Sequence, residues 1–509
     1  LVNTAAPLTA LVAAEQKMSV VPQPVRSEAE PLDYAVLPQL ADVVDKLVFA
    51  KAYARIYDGN ASVAVMHDGD TQNNYSGQNA IVSTMSGGHQ EIAGTGTVST
   101  MSGGSQSVRD GGTGTVSAMI SGRQNIENEG TIGTVITMSD DGQQVINFSG
   151  TGKVSTMNGG VQVIDRVGIG IVDVMNSGGQ YVDKGTGTVS TMNNGSQIIR
   201  AGGSGTIDVM ISGEQNISSG AAGTINTMSG GTQNVNGGTG TVSTMSGGSQ
   251  SIKNGGTGTV DTMSGGRQDI SSGGTGTVDT MSGGSQMISR GATGTVIAMN
   301  SGGQWIYSGT GTVSTMNSGG QTIYSSDGTG TISAMSGGSQ TIYSGATGTV
   351  STMSGGEQYI ANGGTGIIST MSGGWQYISR GGTGTVSTMS GGLQEISSGG
   401  MGTVSTLNGG SQMISSGGTG TVSTVSGGLQ FIENGGGTIS SLLGGIHDIQ
   451  NGGTALDTVI AGGTQLVSSG AVVSGATLSA GIQQVYDGTN LNNITFAGGT
   501  QAVMSGATV

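Results

Sequence analysis

The chain has 509 residues, 102 of them Gly, with 5 Pro, 24 Met, 2 Trp, 11 Tyr, 4 Phe and no Cys. Charged residues make up 9% of it, and 15 Lys+Arg against 30 Asp+Glu leave a net charge of −15. This composition excludes a disulfide framework, a thiolate metal site and a cysteine nucleophile, argues against nucleic acid as a partner, and holds neither a membrane-spanning apolar run nor the every-third-Gly pattern of collagen.

Residues 1–60 form an N-terminal segment of their own. All five Pro lie there (Pro7, Pro22, Pro24, Pro31 and Pro38), with 12 of the 45 charged residues. Leu1 to Ala14 is apolar, and Val12 and Ala14 have the spacing of a signal cleavage site. It reads as the tail of an export signal or as a cap strand. From Gln39 to Tyr57 the apolar residues Leu40, Val43, Val44, Leu47, Val48 and Ala52 fall at helical spacing. This predicts a helix over about 39–57, suited to cap the repeats that follow.

Residues 61–436 repeat. Met85, Met101, Met119, Met138, Met157 and their successors to Met389 stand 16 to 19 residues apart, most often 18. Leu407 and Val425 then take the same slot, so the slot is apolar rather than specific for Met. One unit, 97–114, reads TVSTMSGGSQSVRDGGTG. A Gln stands five residues after each slot Met, as at Gln106, Gln250 and Gln358, with His447 in that place after Leu442. Two residues past the Gln comes Val or Ile, and Gly pairs punctuate the unit twice.

Short β-branched runs between Gly turns suit one coil of a parallel β-solenoid, and helical repeats need longer units and helix formers. The expected fold is all-β: a right-handed parallel β-helix of coils of about 18 residues. Val98 and Met101 differ by three, so a bend or bulge must lie between them if both point inward. The recurrent Gln should form an amide ladder along the axis. Met and Gln then read as repetitive core; a file of Met ligands for a metal is the functional alternative. Roughly 24 coils at about 4.8 Å each give a rod on the order of 110 Å long.

Candidate sites are few. Trp305, Tyr307, Tyr324, Tyr343, Tyr359, Trp375 and Tyr377 fall in five successive coils, most beside an inward Ile. By the period of two they should point outward as one stripe. Such a stripe could bind sugar or protein, or simply stiffen the rod. The acids, among them Asp140, Asp141, Asp165, Asp173, Asp183, Asp208, Asp261 and Asp279, are scattered. A β-helix lyase or epimerase needs grouped carboxylates in one groove, so no enzyme is expected. His67, His89 and His447 lie in different coils. No catalytic, metal-binding or cofactor-binding residues are assigned, and no cofactor is expected.

From 437 to 509 the repeats change style, Met yielding to Leu, Val and Ile. Coils continue to Val509 without a capping sequence, which suggests a chain cut from something longer, before a membrane barrel. Two stretches, GGTALDTVIAGGTQLVSSG (452–470) and GGTGTVSTMSGGSQSIKNGG (237–256), resemble the passenger repeats of self-associating autotransporter adhesins, the AIDA, antigen 43 and TibA group. The shared pattern is GGT, a Thr-x-apolar strand, GG, then Gln-x-Val/Ile, over roughly 80–509. This chain departs from the group in carrying Met at the apolar slot and Gly where Ala is common.

The resemblance implies a Gram-negative cell-surface passenger, exported to the outer membrane, that mediates self-aggregation, biofilm formation and attachment to host cells. Its implied partners are a second copy of itself, a host-surface glycan or protein, and a heptosyltransferase that modifies Ser and Thr. Recurrent candidates for O-heptose are Ser99, Ser117, Ser155, Ser190, Ser243, Ser314, Ser351 and Ser387. The alternative is a structural surface-layer or fibre protein with no specific receptor.

Overall fold

In residues 239–256 a long strand, Thr239–Met245, and a short one, Ser249–Lys253, alternate with two Gly turns. Neither strand can bury its inner face within its own coil. Each pairs in parallel with its equivalent one coil on: Val242 with Val260, Met245 with Met263, Gln250 with Gln268 and Ile252 with Ile270. Repeated along the chain, this pairing makes a 48-stranded all-β parallel solenoid of about 25 turns. The computed structural model describes residues 55–504.

The expected bend between the inward Val and Met falls on a single residue. Pairing runs Val82 with Val98, skips Ser99, and resumes at Thr84 with Thr100. The skipped residue resets the alternation, so Met101 points inward as well. Val and Met columns then pack as one core cluster, and the Ile column of the short strand forms a second. Met suits the slot beside the bend because its unbranched thioether fills irregular gaps. Leu407, Val425, Leu442, Ile460 and Leu478 continue the Met column, fully buried.

Between the two clusters runs the amide ladder that the sequence predicts. Gln250 Nε2 donates to Gln233 Oε1 at 2.6 Å and to the Gly240 carbonyl at 3.2 Å. Gln268 Nε2 in turn donates to Gln250 Oε1 at 2.7 Å. The ladder runs unbroken from Gln72 to Gln430, is interrupted at His447, and resumes from Gln465 to Gln501.

The inward Gly of each TGT strand makes room for this ladder. A Cβ at Gly258 would lie 2.3 Å from Ile252 Cδ1 and 2.8 Å from Gln250 Oε1. Gly258→Ala should therefore cost about 1–3 kcal/mol by overpacking. Amide exchange across 250–270 would show it as faster local opening; unchanged protection would mean that Ile252 moves aside freely.

The variant repeats continue the same solenoid with a sharper corner. The long strand divides into Thr454–Leu456 and the start of Val459–Val467. The corner residue takes a left-handed conformation at Asp457 (φ 49), Gly475 (φ 74) and Asn493 (φ 54), in successive coils. At the other end Ile56–Asp58 already pairs with Thr71–Asn73, so the strand pairing begins inside the expected 1–60 segment. Ile56 and Tyr57, the end of the expected 39–57 helix, are strand. They complete the first coil by backbone pairing, which outweighs the helical spacing before them. The rest of that helix and the expected signal tail lie outside the described residues.

Candidate functional site

The outer surface of the short strands is set by two positions, the residue before the inward Gln and the one between Gln and Ile. The seven candidate aromatics do not share one column. Tyr359 and Tyr377 lie between Gln and Ile and pair across coils. Trp305 is in that same column, separated from them by Thr322 and Thr341. Trp375 precedes its Gln, beside Glu357 and Leu393. Tyr307, Tyr324 and Tyr343 instead follow the inward Ile, where the chain enters the turn.

The two groups differ in what they offer. Tyr307 and Tyr324 stack with centroids 4.9 Å apart and planes 9° apart, and Tyr343 extends the stack at 6.3 Å. Their ring faces are spent on one another, leaving mainly edges for a ligand. Burial, then the neighbouring phenols Tyr307 and Tyr343, raises the pKa of Tyr324. Trp375 meets Tyr377 edge-on at 5.8 Å, and Tyr377 meets Tyr359 at 5.6 Å. This second group lies on the sheet face and is open to contact.

Sequence spacing alone misses what continues from it. Along the same two columns follow Leu393, Met413, Leu429, Phe431, Ile446, Leu466 and Ile482, each exposed or half-buried. Eight coils therefore present apolar side chains outward. At about 4.8 Å per coil and about 3.3 Å per strand residue the face covers on the order of 500 Å², as large as the largest apolar patch on a typical monomer. Its charges are Glu357, Glu395 and Asp448. Tyr377 has a raised pKa, first from burial and then from Glu357 and Glu395. The signal is present as WQY, LQE, SQM, LQF and TQL, where apolar residues flank the buried Gln. It needs register to become a surface.

The candidate serines occupy the bend that the ladder skips. Ser99, Ser351 and Ser387 are exposed, and Ser117, Ser155, Ser190, Ser243 and Ser314 are half-buried. All point away from the core. Where a serine follows the slot Met it can be engaged differently: Ser229 donates to the Met210 carbonyl at 3.2 Å, and Ser264 to the Met245 carbonyl at 3.4 Å. Ser229 and Ser264 are exposed as well, so both sets of hydroxyls reach solvent and they differ in their hydrogen bonding to the Met carbonyls.

The three histidines make separate contacts. His67 contacts Ser86 at 3.2 Å and His89 contacts Ser105 at 2.8 Å. Desolvation, ahead of the opposing Glu91, lowers the pKa of His89. His447 is fully buried in the Gln column. Among the described residues no three His, Asp or Glu side chains converge to hold a metal ion, and the Met of the repeat slot are sealed in the core.

No family model matches this chain, and no curated protein does. Among solved structures it is similar to the crystal structure of a TibC-catalyzed hyper-glycosylated TibA55-350 fragment, at 26% identity and a TM-score of 0.37, over 59% of this chain and 96% of that one.

Proposed function

We propose that this chain is the exposed passenger of a bacterial surface adhesin, acting by lateral association of solenoids on neighbouring cells and by attachment to host surfaces. The observation that carries the reading is the apolar outer face from Tyr359 to Ile482. A solenoid that has already closed its two cores has no internal use for ten large apolar side chains on eight successive coils. Two such faces together bury on the order of 1,000 Å², the lower bound of a specific contact. A weak contact of that size suits cells that display many copies, because avidity multiplies it. The low charge of the repeats keeps repulsion small.

The resemblance of the repeats supports the rest of the reading: export to the cell surface of a Gram-negative bacterium, biofilm formation, and O-heptose on Ser and Thr, with the bend serines as its acceptors. The reading assigns no catalysis. The mass of the chain from its native host tests the modification; increments of one heptose support it and an unmodified mass removes it.

Sedimentation of the purified chain tests the face. The wild type should associate with increasing concentration, and Trp375→Ser/Phe431→Ser/Ile446→Ser should weaken that by about tenfold or more with an unchanged circular dichroism spectrum. Substituting Tyr307, Tyr324 and Tyr343 by Ser should weaken it far less. If the triple variant of the face associates like the wild type, the contact lies elsewhere. Ordered end-to-end fibres would favour the structural alternative.

A further inference from the structure

Two successive coils break a rule that most of the solenoid keeps. Where the chain leaves the short strand through two successive residues of positive φ, the second is elsewhere Gly, as at Asn254-Gly255 (φ 54 and 72). A Cβ at Gly255 would meet nothing within 4 Å, so a side chain there projects into solvent. The structure has Phe148-Ser149 (φ 46 and 68) and then Arg166-Val167 (φ 48 and 64) in this turn. A β-branched residue in the left-handed region is strained. The molecule gains no packing in return, since Val167 is 65% exposed and Phe148 49%.

Strain accepted in order to present apolar groups to water points to a ligand. Arg166 lies over the Phe148 ring, 4.6 Å from its centroid, with its Nε 3.7 Å from Asp165. The Val167 amide donates to the Lys184 carbonyl at 3.0 Å, which sets Lys184 one coil further on. With Asn128, Glu129 and Ser149 these residues enclose a shallow groove of about 430 Å³.

We infer that this groove binds an acidic saccharide. Phe148 and Val167 offer an apolar surface to the C–H face of a sugar ring. Asn128 and Ser149 supply hydrogen bonds for hydroxyls. Arg166, whose guanidinium lies over the Phe148 ring, and Lys184 take the carboxylate. Glu129, which also lines the groove, repels dense negative charge, which favours a single carboxylate over a sulfated polymer. The open shape suits the side or end of a glycan chain. The inference deepens the attachment half of the proposed function and rests on it for its biological setting. Sugar binding is measured on the purified chain, and lateral association is read separately by sedimentation, so either can fail without the other.

The test is titration of the full chain with sialyllactose and a glucuronate-terminated disaccharide, with lactose as the uncharged control. The acidic sugars should bind at least tenfold more tightly than lactose, and Phe148→Ala or Arg166→Gln should each weaken that binding about tenfold. Val167→Gly is the discriminating variant. It should increase protection of the 161–184 coil from amide exchange, because Gly accepts this conformation without strain, while weakening the acidic sugars severalfold. Acidic sugars binding no better than lactose would overturn the proposal. So would a Val167→Gly chain that binds them normally, or one whose coil opens faster, which would make Val167 a packing residue.

Discussion

Gln250→Leu should cost the solenoid about 2–4 kcal/mol and open it from the middle. Leu keeps the volume but removes the donor that Gln233 Oε1 and the Gly240 carbonyl receive. It also removes the acceptor of Gln268, whose Nε2 retains the Thr277 carbonyl at 3.2 Å. The main loss is thus the donor shared by Gln233 Oε1 and the Gly240 and Thr259 carbonyls. The ladder makes a sharper prediction for neighbours. Gln250→Leu/Gln268→Leu deletes two rungs but still leaves only two broken ends, so the double variant should cost about as much as the single one. Independent side chains would add instead. Stability in a solenoid is a sum over coils and their interfaces, so the readout is local: amide exchange and protease nicking around 233–277. A double variant costing twice the single would show that each Gln contributes alone.

The ladder is legible in the sequence because its cause is periodic. A Gln recurring five residues after an apolar slot, with Ile two further on, has no arrangement in stacked coils except a column. The two cores, the bend and the outward Ser99 and its equivalents follow from the same count. Two things are not legible. The aromatics look like one stripe because Tyr307 and Tyr359 both neighbour an inward Ile, yet one follows it into the turn and the other precedes it on the sheet. The Phe148 groove is invisible because composition does not report φ: the sequences NFSG and DRVG look like ordinary turns, yet Val167 holds the conformation that Gly occupies elsewhere. The helix expected over 39–57 rests on spacing alone, and its last residues, Ile56 and Tyr57, are taken by the first strand pairing. What the chain encodes by repetition is readable from its residues; what it encodes by exception becomes visible once the exceptions are in register.

His447 is the exception with the largest consequence for stability. It replaces a Gln in the buried column, and its Nδ1 lies 3.2 Å from Gln465 Nε2. Accepting that hydrogen bond leaves the proton on Nε2, which has no partner, while Gln430 Oε1 has no donor. Burial pushes the imidazole down from 6.5 to about 3. The unfolded chain takes up this proton near pH 6.5 and the folded chain only near pH 3. The contribution of this site is therefore fully present above pH 6.5. It falls by about 1.4 kcal/mol per pH unit below that, reaching roughly 4–5 kcal/mol lost at pH 3. His447→Gln should stabilise the 442–467 coil by about 1–3 kcal/mol at neutral pH, by giving Gln430 its donor. Its advantage over the wild type should widen as pH falls from 6.5 towards 4. Carboxylates elsewhere titrate in both chains, so the difference between them isolates this residue. Amide exchange of the coil at pH 7 and at pH 4.5 measures it. Parallel behaviour of the two chains across that range would mean that His447 reaches water, or a partner, in the folded state. A widening gap would locate the acid-labile joint of the solenoid at the boundary between its Met-type and variant repeats.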